Sequence, residues 1–352
     1  MTSRLRRFIA TCVFVTGGAL SVNSALAHGV PLRVQHALPA DSPFHTQFLV
    51  PWAHKLEQES GGRLHVQLYP AMKMGGEPAQ LFDQAKNGEV EIVWAALTDN
   101  ARDRFPALEV FALPFMSNST EGSSRALWEY VRMSDLAHME FDGVRVLAIH
   151  QSDAPQFHLR DRSIKSLADL SGLKLGVSSR MGANVLAALG ASPMEMPPAR
   201  VAAALSKGEL DGALLPWEAI PALKLEEAVK YHSELDAKSP RLYSSVYVLA
   251  MNAAAYKSLP DDLKKVVLAN SGAETSAGLG KVFEEGAASA RKLAAARGNT
   301  VNVLPTEELA KWKTPAQRVI DQWMQELAQR GVQGKELIDS ARETLAEYDR
   351  AK

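Results

Sequence analysis

The side chains in this sequence that could do chemistry stand where strand-like runs end and turns begin. Ser178, Ser179 and Arg180 follow an apolar run over residues 173–177 and open a helical pattern over 180–189. A guanidinium beside the free amides of a helix N-terminus is a natural anion site, and Asn184, one turn on, shares its face. The plainer reading of Arg180 is an exposed helix arginine. Trp217 and Glu218 follow a run over 210–214. An indole face there would pack a planar or apolar ligand, and Glu218 would accept from a hydroxyl or pair with Arg180. The same tryptophan would serve equally as hinge packing. In the first third of the chain, His36 ends one strand-like run, Trp94 ends another, and Glu77 opens a helix beside Gly75 and Gly76, as a ligand contact or only as a cap. Phe157 and His158 follow a further strand over 144–150. These nine residues are the candidate ligand contacts.

None of them composes a catalytic set. The dinucleotide fingerprint G-x-G-x-x-G, the phosphate loop and the G-x-S-x-G elbow are all absent, and so is H-E-x-x-H. The nine histidines are scattered, with no pair at metal-binding helical spacing. Asp99 and Asp103 stand four apart, but Arg102 and Arg104 beside them indicate a solvated loop. Glu284 and Glu285 read as charge on a polar helix face. No metal or cofactor is expected, and no reaction class has its residues.

The N-terminus indicates where the protein works. Arg4, Arg6 and Arg7 precede an apolar stretch over 8–26 that closes on Ala25-Leu26-Ala27, the layout of a secretory signal cleaved before His28. The polar residues Thr11, Thr16, Ser21, Asn23 and Ser24 interrupt it, so it is short for a membrane span. Cys12, the only cysteine, would leave with it. The mature chain then has no thiol for a disulfide, a metal or a nucleophile. Removing three arginines from 39 basic residues leaves 36 against 40 acidic ones, a formal charge of −4. No charge run fits nucleic acid or an anionic membrane.

The elements that must position these residues come in two similar rounds. Strand, helix, strand, helix, strand is predicted over 32–37, 44–59, 63–69, 77–87 and 90–95, as in a doubly wound α/β fold. After a linking region and a crossing strand over 144–150, the rhythm restarts with strands over 173–177 and 210–214 and helices over 180–189 and 199–206. Residues 243–251 read as a strand returning to the first lobe. Helices are predicted over 261–270, 274–297, 306–330 and 335–348. The expected lobes are 28–150 with about 242–282, and 151–241 with about 283–330, followed by a terminal helix within 331–352. Ligands bind at the carboxyl ends of such sheets, and a hinge lets two lobes close on them.

Several segments, in order over nearly the whole mature chain, resemble the substrate-binding proteins of tripartite ATP-independent periplasmic (TRAP) transporters, the dicarboxylate-binding (DctP) type. They are SGGRLHVQLYPAMKMGG, GEVEIVWAA, FPALEVFALPFM, SLADLSGLKLGV, LGASPMEMP, ALSKGELDGALLPWEA and AMNAAAYKSLPDDLKK. The resemblance implies a two-lobed periplasmic binding fold, type II-like, with a hinged cleft, a long bracing helix and a helical C-terminus. It implies a soluble binder, a monomer as is usual for the family, that hands solute to a separate ion-driven permease, without nucleic acid, membrane insertion or catalysis. The family's carboxylate-binding arginines fall here at Gly176 and near Gln156, and its ligand asparagine at Leu215, so the usual clamp does not carry over. Arg180 is the substitute in view. The implied ligand is a small organic acid with an apolar or aromatic body, although losing those arginines also admits a neutral or amide solute. A periplasmic sensor of the same fold and an exported α/β enzyme remain as alternatives.

Overall fold

Two alternating runs and a continuously apolar third in the first hundred residues build a sheet whose inner strand is buried on both faces. In the computed structural model, which describes residues 29–98 and 104–349, its parallel part is β1 (Val30–His36), β2 (Leu64–Tyr69) and β3 (Ile92–Ala96). The expected export signal and the loop carrying Asp99 and Asp103 lie outside the described residues. Leu32, Val34 and His36 of β1 are buried, and Val34 and His36 stand opposite Ile92 and Trp94 of β3. β4 (Val144–Gln151) leaves this sheet for a second one, built from β5 (Gln156–Leu159), β6 (Lys174–Val177), β7 (Ser192–Glu195), β8 (Gly212–Leu215) and β9 (Tyr231–Leu235). β10 (Val246–Asn252) returns to the first sheet, antiparallel to both neighbours, and β11 (Thr300–Leu304) joins the second. The orders are β2-β1-β3-β10-β4 and β11-β9-β5-β8-β6-β7.

Three connectors therefore join two α/β lobes: residues 152–155, residues 236–245, and the helix Ala273–Ala296. That helix has 24 residues, or about 36 Å at 1.5 Å per residue. Its first half puts Leu279 and Phe283 into the first lobe's core, and its second half puts Ala287, Ala290 and Ala294 into the second's. The following helices, Thr306–Gln329 and Gly334–Tyr348, pack back on the body, the last against Thr120–Met133.

The structure adds elements and shifts others. Thr120–Met133 is a 14-residue helix inside what reads as a linking region. Its first turn, Thr-Glu-Gly-Ser, has no apolar period; Ser119 caps it by accepting from the Gly122 amide at 3.0 Å, and tertiary packing supplies the rest. The segment expected as one helix over 44–59 opens as a π-turn, Phe44–Leu49, before the α-helix Val50–Glu59. Pro51, with no N–H to offer the preceding turn, sits at the join. The helix expected over 77–87 is a short 3₁₀ turn, Pro78–Gln80, leading into Leu81–Lys86.

The bracing helix meets Thr120–Met133 at a glycine. A Cβ on Gly280 would stand 2.8 Å from Ser124 Oγ and 2.7 Å from the Thr120 carbonyl carbon, with the Thr120 carbonyl oxygen closer still. Alanine is the better helix former by about 1 kcal/mol, yet this backbone cannot retreat without lifting one helix off the other. Gly280→Ala should lower unfolding free energy in urea by about 1–3 kcal/mol; a stabilised variant would contradict this packing.

Candidate functional site

Register places the carboxyl ends of both sheets at the connectors. Ala96, the last residue of β3, lies opposite Tyr247, and the Leu97 amide donates to Val246 where β10 begins. Leu215, the last residue of β8, lies opposite Gln156 where β5 begins. The turns leaving these two strand ends therefore face the hinge.

A charged network ties the connectors together there. Arg241 of the second crossing donates through Nη1 to Asp153 of the first at 2.7 Å, through Nη2 to Glu284 of the bracing helix at 3.3 Å, and through Nε to the Asn118 carbonyl at 3.2 Å. Glu284 also accepts from the Thr120 amide at 2.6 Å, so it is no free surface charge, which corrects the sequence expectation. Burial lifts the Asp153 carboxyl above its usual range, and Arg241 pulls it back. Glu218 faces the same network: burial first, then the Asp153 charge, push its carboxyl well above the ordinary value, with Arg241 opposing. The residue keeps some solvent contact, but its Oε2 is buried without a partner. Asp153 and Arg241 sit in turns 88 positions apart, and no spacing rule links such residues before the fold does.

At the rim, the Met72 amide donates to the His36 carbonyl, and the Phe115 amide to the Arg241 carbonyl. Ala71, Met72 and Phe115 hold positive φ of 52°, 57° and 59°, a conformation that side chains resist and that collects at functional sites. Met72, Met74 and Phe115 are partly buried and pack against the core.

The sequence candidates divide. Trp94 lies inside the first lobe, stacked on Phe44 at 4.3 Å and Tyr247 at 4.5 Å, its Nε1 donating to His150 at 2.8 Å. His36 is fully buried against His45, with 2.9 Å between ring nitrogens, and burial lowers its pKa to about 3. Phe157 packs edge-on against Trp312. His158 and Trp217 are core residues of the second lobe, the indole Nε1 donating to Glu234 at 3.1 Å. Neighbours fix the imidazole tautomers there: Asn299 Nδ2 donates to His232 Nε2, His232 Nδ1 donates to His158 Nδ1, and His158 Nε2 donates to the Leu215 carbonyl. Every ring nitrogen in that chain is satisfied only while both rings are neutral.

Arg180 is paired with Glu109 at 2.6 Å and Glu326 at 3.0 Å, and not with Glu218. Glu109 also accepts from Trp323. Asn184 is half-buried one turn along, and Glu77 is exposed, its amide donating to Gln80 at 2.8 Å. At Gly176 a Cβ would stand 2.9 Å from Leu210 and 3.1 Å from Val201, so a long side chain has no room there as packed. A polar depression of about 590 Å³ lined by Arg318, Asp321, Gln322, Gln325, Glu326 and Gln329 lies on one helix only, without walls from both lobes. Among the described residues no three His, Asp or Glu side chains are arranged to hold a metal, and no helix is long and apolar enough to cross a membrane.

Comparison with known proteins supplies the family. The family model "Bacterial extracellular solute-binding protein, family 7" (DctP) matches residues 34–327. A TRAP solute-binding protein of Rhodoferax ferrireducens, solved with copurified benzoate, is 41% identical, covers 91% of this chain and 98% of its own, and superposes with a TM-score of 0.86. A TRAP solute-binding protein from a marine metagenome, specific for aromatic acid ligands and solved with 3-hydroxybenzoate, is 37% identical over 92% of this chain and 99% of its own, with a TM-score of 0.87. A curated relative from Comamonas testosteroni, the outer membrane transporter protein TsaT, is 25% identical over 97% of this chain and 98% of its own. More distant relatives are named as periplasmic binding proteins.

This geometry generates two expected outcomes. Arg241→Met leaves Asp153 and Glu284 without their cation, and should cost about 3–5 kcal/mol in urea unfolding; a neutral change would show that the network carries no weight. His232 has its pKa lowered to about 4 by burial, below the ordinary 6.5. The unfolded chain thus takes up the proton first, and His232 loses stability as pH falls from about 6.5 toward about 4. Glu140, lifted to about 8 by burial, acts in the opposite direction, so the variant is the control. Stability of His232→Asn should fall less steeply on acidification than that of wild type; parallel slopes would refute the assignment.

Proposed function

We propose, from the premise that this chain belongs to the family-7 bacterial extracellular solute-binding proteins and is a TRAP-type binder rather than an enzyme, that it captures a small aromatic carboxylic acid between its lobes. The observation that carries this is the cleft at the carboxyl ends of two connected sheets, in a chain 41% identical to a protein solved with benzoate. The half-buried Met72, Met74 and Phe115 offer the apolar wall that a ring needs. Sugar acids, which need hydroxyl partners around the whole ligand, suit that wall poorly.

The carboxylate belongs at the other side of the cleft, away from Asp153, Glu218 and Glu284. Arg180, at the start of the helix Arg180–Ala188 with its fork fixed by Glu109 and Glu326, is the cation assigned to it. Two of its five N–H donors are used in those bonds. The rest, with the helix N-terminus and Asn184 one turn on, would hold an anion. The lobes, divided by residue as the sequence indicates, close on the solute about the three connectors, and the loaded protein delivers it to a TRAP membrane permease. The N-terminal segment directs export to the periplasm, with cleavage after Ala27.

Thermal-shift measurements on residues 28–352 with benzoate, 3-hydroxybenzoate, mandelate, glucuronate and galactonate test this reading. Saturating aromatic acids should raise stability by a few kcal/mol, as a ligand about a hundredfold above its Kd does, and sugar acids should not. A shift confined to sugar acids or to neutral solutes would overturn it. Arg180→Ala should weaken aromatic-acid binding by about 1.5–3 kcal/mol; unchanged affinity would remove Arg180 from the site.

A further inference from the structure

Glu218 is the group at the hinge whose hydrogen bonding the protein leaves incomplete. Trp217 beside it turns into the second lobe, where its ring packs 4.9 Å from His158 and 4.7 Å from His232. The Glu218 carboxyl feels the charges of Asp153 and Arg241 on the two crossings. Its neighbours there are already paired. Asp153 and Glu284 hold Arg241, and Gln156 accepts from the Leu235 amide at 3.2 Å and donates to the Ala154 carbonyl at 3.3 Å. Glu218 Oε2 is buried and has no partner. An unmet buried oxygen costs about 1–3 kcal/mol, and whatever supplies a donor there recovers that cost.

The chemistry of the unmet oxygen decides what the donor is. An ionised carboxylate only accepts hydrogen bonds, so the ligand's own carboxylate cannot supply the proton that Glu218 Oε2 lacks. A neutral O–H suits the position, and an aromatic acid bound with its carboxylate at the far side points a ring substituent toward it.

We infer that Glu218, at the carboxyl end of β8 beside the Asp153–Arg241 pair, accepts a hydrogen bond from a hydroxyl on the ring of the bound aromatic acid, so that the solute class is hydroxylated aromatic acids. This rests on the proposed capture of an aromatic acid. The hydroxyl selects through its proton and not through its bulk, because an ether at the same ring position brings oxygen but no donor.

Isothermal titration of residues 28–352 near neutral pH, with benzoate, with 2-, 3- and 4-hydroxybenzoate and with the methyl ether of the preferred isomer, separates the possibilities. One hydroxy acid should bind at least about tenfold more tightly than benzoate, and its ether should not. In Glu218→Met that preference should shrink to within about twofold while benzoate still binds. Equal affinity of wild type for benzoate and all three hydroxy acids, or a preference that survives in Glu218→Met or in the ether, overturns the inference and leaves the aromatic-acid reading standing. No binding by any of these acids would remove that reading and the inference with it. The wild-type ranking, ether included, decides the question even where the variant fails to fold.

Discussion

One guanidinium holds the two lobes to a common hinge. Arg241 lies on the return crossing, Asp153 on the outgoing crossing and Glu284 on the bracing helix, so a single side chain contacts all three connectors. Charges this buried cost several kcal/mol each to desolvate and persist only when paired with good geometry. The network therefore dictates where the crossings meet, and with them where the ends of β3 and β8 face each other. Glu284 extends the constraint by accepting from the amides of Thr120 and Glu121, which fixes the start of the next helix. At the other end of the chain, Asp349 accepts from the amides of Asn118 and Ser119 at 2.5 and 2.8 Å, beside the carbonyl that Arg241 holds.

Within each lobe, aromatic and histidine side chains are buried and satisfied by one another. In the first lobe, Phe44, Trp94 and Tyr247 form a continuous stack, with Phe283 of the bracing helix 6.0 Å from the indole. In the second, the neutral chain from Asn299 through His232 and His158 ends on the Leu215 carbonyl. That chain anchors the end of β8 from behind, so Pro216, Trp217 and Glu218 leave it in a defined direction. A protonated imidazole would set two donors facing each other, which is why burial and geometry agree on the neutral form.

The alternating and continuously apolar runs made the βαβ rhythm, the return of 243–251 to the first sheet and the long terminal helices legible in the sequence. The helix Thr120–Met133 was hidden because its packing partner, Gly280, is 160 residues away from its start. The short strands β5, β7, β9 and β11 are no shorter than β6 and β8, but polar residues or a proline break the apolar run that marks those two. Strand-end position directs attention to the turn after β8, but it cannot say which way a side chain points. The structure turns Trp217, Trp94, His36, Phe157 and His158 into the lobes, and it leaves Glu218 Oε2 buried without a partner. Asp153, Arg241 and Glu284 gave no local signal, since only the crossing topology brings them together.

The central claim is that an aromatic acid is enclosed between the two sheets at this hinge. A crystal structure of residues 28–352 grown with 3-hydroxybenzoate tests it most directly. The account predicts one ring between the ends of β3 and β8, against Met72 and Phe115, with its carboxylate turned away from Asp153 and Glu284. A ring bound on the outer face of a lobe, or a carboxylate seated against the Asp153–Glu284 side, would contradict it.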